Sequence, residues 1–274
     1  MEMLEIFTYR FFQHALAAST LSAILCGVMG TYIVSRRLVF ISGGITHASF
    51  GGMGLGYFLG FSPLAGAALF AAASAYLIQF LSRRNEVRED SAIGMLWSLG
   101  MAVGIIFVFL SPGYAPNLMS GLFGSILAVS SEELWLMFIL TLALLGFFLF
   151  FFRMIVAIAF DSEFALTRNL PAGWINYTLM TLLAFTIVLS IKVSGIILVL
   201  AMLTIPPATA NLISHRFAPM ARIAVALGFA GNFAGLLLSY YWDVPSGATI
   251  IIVHIFIFAI VKILSIRRSS LPRK

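Results

Sequence analysis

Charge is what this sequence has least of. Only 9% of its 274 residues are Asp, Glu, Lys or Arg, against 61% hydrophobic, where a soluble domain carries roughly 25% charged residues. A soluble fold is thereby excluded, because no soluble core calls for apolar runs of about 20 residues repeated along a whole chain. Cysteine is almost missing too, and the single Cys26 rules out a disulfide scaffold. Nowhere does G-x-x-x-x-G-K-[ST] occur, so the chain has no recognisable phosphate cradle and any ATP-driven work needs a partner. His14, His215 and His254 are scattered, with neither H-E-x-x-H nor a cysteine cluster beside them, and there is no G-x-S-x-G elbow. These gaps leave little support for an intramembrane metalloenzyme or hydrolase.

What the chain has in quantity is apolar sequence of bilayer length. Hydrophobic runs predict nine helices, at about 13–34, 38–59, 64–82, 91–110, 133–156, 174–193, 195–213, 221–241 and 247–266. The first run, Phe11 to Val34, exceeds a signal-peptide core of about 7 to 15 residues and is read as a span. With nine spans, 14 of the 16 Lys and Arg residues fall on one side, and only Arg10 and Lys192 on the other. The positive-inside rule then places the N-terminus outside and the C-terminus in the cytoplasm. The net charge of +6 follows from basic loops beside membrane spans, not from a nucleic-acid partner. "APNLMSGLFGSILAVSSEE", between the fourth and fifth spans, is read as a short outward-facing or re-entrant helix, and "RRNEVRED" as a solvated cytoplasmic loop.

One span is unlike the others. "SGGITHASFGGMGLG", residues 42–56, sets His47 among six glycines. Gly44, Ala48, Gly52, Gly56 and Gly60 recur every four residues and stack on one stripe, against which another backbone can pack closely in lipid. His47 belongs to the adjacent row with Gly43 and Gly51, which leaves space beside an ionisable group. Intramembrane ionisable residues point to a transport pathway, although one backbone carbonyl would also satisfy a structural histidine. "GMGLG" resembles a dinucleotide-binding turn only superficially, since no strand precedes it. In the seventh span, Pro206 and Pro207 free carbonyls near Met202 and Leu203 and predict a kink, with Thr204 and Thr209 available to re-satisfy the backbone. The pair is read as a static bend or as a pivot adjoining Asn211.

"AFDSEFALTRNLPAGWIN" interrupts the fifth and sixth spans. It reads as a short helix with Asp161 as N-cap, Glu163 in the first turn and Asn169 able to take the left-handed terminal conformation before Leu170 and Pro171. The plain alternative is an ordinary inter-span loop.

Taken in order, "SRRLVFISGGITHASFGGMGLGYFLG", "GLFGSILAVS", "FDSEFALTRNLP", "SIKVSGIILVLAMLTIPPATANLI" and "SYYWDVPSGATIIIV" resemble the permease subunit of the metal-ion ABC importers for zinc, manganese and iron. The resemblance runs from about Arg36 to Val253. It implies an all-α permease of the type II importer kind, a single transmembrane domain over 1–274, in a bacterial or archaeal cytoplasmic membrane. It also implies a homodimer, two cytosolic ABC ATPase subunits that use the ATP, and an extracytoplasmic metal-binding protein. The divalent metal is then cargo, with no permanent cofactor. The loop at about 159–173, with Asp161, Glu163, Ala165, Leu166 and Asn169, would be the helix that couples to the ATPase. Where the family commonly has glycine this chain has Asn169, a tolerable left-handed substitute. His47 aligns with a transient metal ligand, but the aspartate expected four residues earlier is Gly43. Losing that carboxylate predicts weak manganese selectivity by the permease itself, with zinc, ferrous iron or an iron chelate preferred unless the binding protein dictates otherwise. The competing readings are an iron-chelate permease and a proton-coupled secondary transporter using His47.

Overall fold

The computed structural model describes residues 8–83, 88–111, 126, 129–160, 165, 167–168 and 170–269. Within them the regular structure is helical: α1 (Arg10–Ser35), α2 (Val39–Leu59), α3 (Pro63–Arg83), α4 (Glu89–Leu110), α5 (Ser131–Phe160), α6 (Ala172–Ser194), α7 (Ile196–Ile213), α8 (Phe217–Trp242) and α9 (Ser246–Ser269). All nine expected helices appear. Eight of these helices are long and apolar enough to cross a membrane. The exception is α2, diluted by glycine, serine, threonine and His47, yet its 21 residues reach about 31 Å at 1.5 Å per residue. Most of α2 is buried inside the protein, which is why a less apolar sequence suffices there.

Local chemistry sets the helix ends. At α5, the Ser130 N–H donates to Glu133 Oε2 (2.9 Å) and the Glu133 N–H donates to Ser130 Oγ (3.2 Å). This reciprocal capping box starts the helix two residues earlier than hydropathy suggests. After α2, Gly60 takes φ 73°, the Phe61 N–H returns to the Gly56 carbonyl at 3.0 Å, and Pro63 opens α3. That is a left-handed glycine stop followed by a proline start. Asp243 ends α8 at φ 50°, with the Val244 N–H bonded to the Ser239 carbonyl. In α5, Phe151 leaves helical geometry (φ −107°, ψ 15°). Its ring sits among Phe147 and Trp174, at centroid distances of 5.0 and 5.2 Å. Of the charged run expected as a loop, Arg88 pairs loosely with Asp90 in the first turn of α4 at 3.8 Å, both side chains exposed, while residues 84–87 lie outside the described residues.

The chain divides into two compact units, each assembled from separate segments. One comprises residues 1–37, 123–141 and 193–274. Here α1 packs on α7 and α8, and α9 lies against both of those helices. In α1, 72% of the membrane-spanning window is buried, against 17% in α9. Thus α1 is a core helix, whereas α9 turns Ile252, Ile255 and Phe256 outward. The second unit comprises residues 38–122 and 142–192, where α2 packs closely on α3 and α4.

The first unit is pinned by a buried polar clasp. Asn232 Nδ2 donates to the Ser19 carbonyl at 3.1 Å, and His254 Nε2 lies 3.2 Å from Asn232 Oδ1. Because the amide nitrogen already faces a carbonyl, Oδ1 must accept, so His254 carries its hydrogen on Nε2. Gly231 lies against the imidazole, where a Cβ would collide with His254 Cε1. Replacing Asn232 by alanine leaves the buried His254 N–H without an acceptor, at about 1–3 kcal/mol, while the Ser19 carbonyl keeps its bond within α1. A lower melting temperature in detergent is expected. An unchanged one would mean that the clasp contributes nothing.

The paired prolines do not break α7, which runs helical through Pro206 and Pro207. The carbonyl freed by Pro207 belongs to Leu203, and it meets α1 at a glycine. A Cβ at Gly30 would collide with the Leu203 oxygen and lie 2.6 Å from Pro207 Cγ. Thr209 does not serve the freed carbonyls as the sequence suggested, because its hydroxyl donates to Ile205 O at 2.7 Å. Pro207 therefore packs against Gly30 of α1.

Candidate functional site

The site is built on α2 and α4 within the second unit. The small-residue row of α2 does not face one neighbour, as a single stripe would. Gly44 and Ala48 meet α4, at Ile93 and Gly100, whereas Gly52 and Gly56 meet α3, at Gly66 and Pro63. The helix drifts about 40° for every four residues at 3.6 per turn, so a long row rolls from one partner to the next. A Cβ at Gly51 would lie 2.7 Å from the Gly100 carbonyl oxygen, and one at Gly52 would collide with the Gly66 carbonyl. These are backbone-to-backbone contacts, which only glycine permits.

His47 emerges from this packed segment half-buried. The space that Gly43 and Gly51 leave beside it is not open. Trp97 of α4 fills the Gly43 side, stacking on the imidazole with centroids 4.1 Å apart and planes 11° from parallel, and the Gly100 backbone closes the Gly51 side. A Cβ at Gly43 would stand 3.0 Å from Trp97 Cζ3, so the residue that lacks a carboxylate is also the one that admits the indole. No sequence signal marked Trp97. The only available hint was that a glycine-framed gap beside an aromatic-sized ring needs a filler.

The other three histidines have partners. His14 Nδ1 lies 3.0 Å from Val129 O, His215 Nδ1 3.4 Å from Asn211 Oδ1, and His254 belongs to the clasp. His47 differs, because its Nδ1 is buried with no hydrogen-bond partner. A ring nitrogen in that position has a free lone pair or an unmet N–H, and a stacked indole holds the ring in place. Among the described residues, no three His, Cys, Asp or Glu side chains come together as a metal-holding group.

At the expected coupling loop, Ala165 is fully buried, and the Leu170 N–H bonds back to the Ala165 carbonyl at 3.1 Å, the reach of a helix-closing bond. Asp161, Glu163, Leu166 and Asn169 lie outside the described residues, as do the turn "SPGYAPN" beyond Ser111 and most of the short helix expected before α5.

Among the described residues, eight strongly apolar helices and one glycine-packed helix carrying a histidine define a multi-pass membrane protein. The model of the ABC 3 transport family matches residues 8–265, and the chain belongs to that family of metal ABC transporter permeases. It is similar to an uncharacterized membrane protein of Synechocystis, 41% identical over 92% of this chain and 89% of the relative. It is also similar to the manganese transport system membrane protein MntC of Halalkalibacterium halodurans, 35% identical over 98% of this chain and 92% of that protein. Among solved structures, PsaBC from Streptococcus pneumoniae in complex with Fab superposes with a TM-score of 0.84 at 28% identity, covering 95% of this chain and 94% of its counterpart. A metal-chelate type ABC transporter in an inward-facing conformation shares the fold, with a TM-score of 0.74 at 17% identity over 96% and 89% of the two chains.

Proposed function

We propose that residues 1–274 act as one permease domain of an ATP-driven importer for zinc, iron or manganese. It works as a homodimer with two cytosolic ABC ATPase subunits and an extracytoplasmic metal-binding protein. The N-terminus lies outside and the C-terminus in the cytoplasm, in keeping with the Lys and Arg asymmetry. His47 is the transient ligand. The observation that carries this is its buried Nδ1 without a partner, in a family of metal permeases. The chain supplies no bond chemistry, and the ATPase hydrolyses the nucleotide.

The loop at 159–173 couples the two. Reversing charge with Asp161→Lys and Glu163→Lys is expected to abolish copurification with the ATPase and ATP-dependent uptake together. Full copurification of the double variant would overturn this role. Purified alone in liposomes, the permease carries no ion uphill; concentrative uptake without an ATPase would favour the proton-coupled reading instead.

Trp97 fills the place beside Gly43, so the donor offered there is an imidazole without a carboxylate. Imidazole serves zinc, iron and nickel, and carboxylate sites suit manganese. We therefore assign weak manganese selection to the permease and leave the choice of cargo to the binding protein. The relatives named for manganese transport weigh the other way. Uptake of zinc, manganese and ferrous iron with the matched binding protein decides the point. A manganese preference that survives exchange of the binding protein would refute the reading from Gly43.

A further inference from the structure

The carboxyl half of α6 carries hydroxyls where an apolar helix has least use for them. Thr186, Ser190 and Ser194 follow one another at four-residue intervals, a row about 12 Å long at 1.5 Å per residue. All three are buried, Thr186 and Ser190 to 0% exposure and Ser194 to 3%. None of their hydroxyl oxygens has a hydrogen-bond partner. That sets them apart from their neighbours. On the same helix Thr178 and Thr181 donate to the Trp174 and Tyr177 carbonyls, at 3.0 and 2.9 Å. Thr31, Thr46 and Thr141 do the same on other helices, the usual way a span hides a hydroxyl. The hydroxyls that back-bond include the most exposed one on α6, and those left unbonded there are the buried ones, where the penalty is greatest. The residues between them, Ile187, Val188 and Ile191, are buried and apolar.

We propose that Thr186, Ser190 and Ser194 form a ladder of hydroxyl groups that takes up the water shell of a divalent cation crossing the protein. The row is buried and unbonded to protein in the conformation described here, and it is hydrated in the other conformation of an alternating-access cycle. Hydroxyls both donate and accept, so they replace bulk water around a cation without binding it tightly. Magnesium-like hard cations and first-row divalent ions alike travel with coordinated water. His47 then supplies a nitrogen donor at one point of the route and the ladder a neutral outer-sphere one along α6. This rests on the reading of the chain as a metal permease, and the tests separate the two.

In a Cys26→Ser background, cysteines are placed singly at 186, 187, 188, 190, 191 and 194 in the assembled transporter in membranes. Each is treated with a water-soluble cationic methanethiosulfonate, at rest and during ATP turnover. Thiols in apolar packing are inert to such a reagent, so positions 186, 190 and 194 are expected to react about tenfold or more faster than 187, 188 and 191 in at least one state. Uniform inertness in both states, or uniform reactivity, would overturn the ladder. A second pair of variants guards against misfolding. Thr186→Val and Ser190→Ala remove orphan hydroxyls at nearly constant shape, so a merely packed hydroxyl predicts equal or higher thermal stability and unchanged uptake. The ladder predicts equal or higher stability with metal uptake reduced about thirtyfold when both hydroxyls are gone, at about 1 kcal/mol for each. Unchanged uptake in that double variant would end the proposal. Thiol labelling needs no metal, so a patterned row in a transporter that moves no metal would sink the metal reading and spare the hydrated face.

Discussion

Replacing His47 with alanine abolishes metal uptake while ATPase association is retained; that is the expected result, with a loss of at least roughly 10–100-fold, the range seen when even an outer partner of a metal ligand is removed. The expectation follows from three observations at one residue. His47 is half-buried on a span, its Nδ1 has no protein partner, and Trp97 stacks on its face at 4.1 Å. A structural histidine would have spent that nitrogen on a carbonyl, as His14 does on Val129. Trp97→Phe keeps a stacking ring and should retain most uptake, whereas Trp97→Ala releases the imidazole and should lower it. Metal uptake by His47→Ala at the wild-type rate, with binding protein and ATPase present, would reduce His47 to a packing residue.

The second large effect is on stability. Gly66→Ala places a methyl group against the Gly52 carbonyl, and a backbone atom cannot move aside as a side chain can. Overpacking costs typically about 1–3 kcal/mol and more where nothing yields. At about 2–4 °C per kcal/mol for a chain of a few hundred residues, a drop of roughly 6–12 °C in melting temperature corresponds to about 3 kcal/mol. The same substitution at Gly94 or Gly146 is the control, because a Cβ there meets nothing within 4 Å. On those helices alanine should stabilise by about 0.5–1 kcal/mol. One chemical change thus has opposite signs at positions that look alike in sequence. If Gly66→Ala melts with Gly94→Ala, the close approach of α2 and α3 is not what holds this unit together.

The candidate site was half legible. His47 announced itself as a titratable ring in an apolar segment, and the glycines around it announced close packing, because spacing along a helix is a local property. Trp97 gave no such sign. It lies 50 positions away in sequence, and its role depends on which helix comes to rest against Gly43. The hydroxyls of α6 were equally silent. Serine and threonine in a span normally bond to their own helix, and only the built structure shows that Thr178 does so while Thr186 and Ser190 do not.

The amino-acid sequence by itself determined the class of protein and the count, length and approximate limits of its helices, since an apolar run long enough to cross lipid, a capping serine with glutamate, and a glycine before a proline act within a few residues. Tertiary structure alone decided the partners. The row from Gly44 to Gly56 rolls from α4 to α3, Pro207 becomes a seat for Gly30 instead of a break, and an indole occupies the gap beside His47. Each of these outcomes depends on the rotation and separation of neighbouring helices in lipid. Close packing and buried polar groups fix those quantities there, and hydrophobic pattern leaves them open.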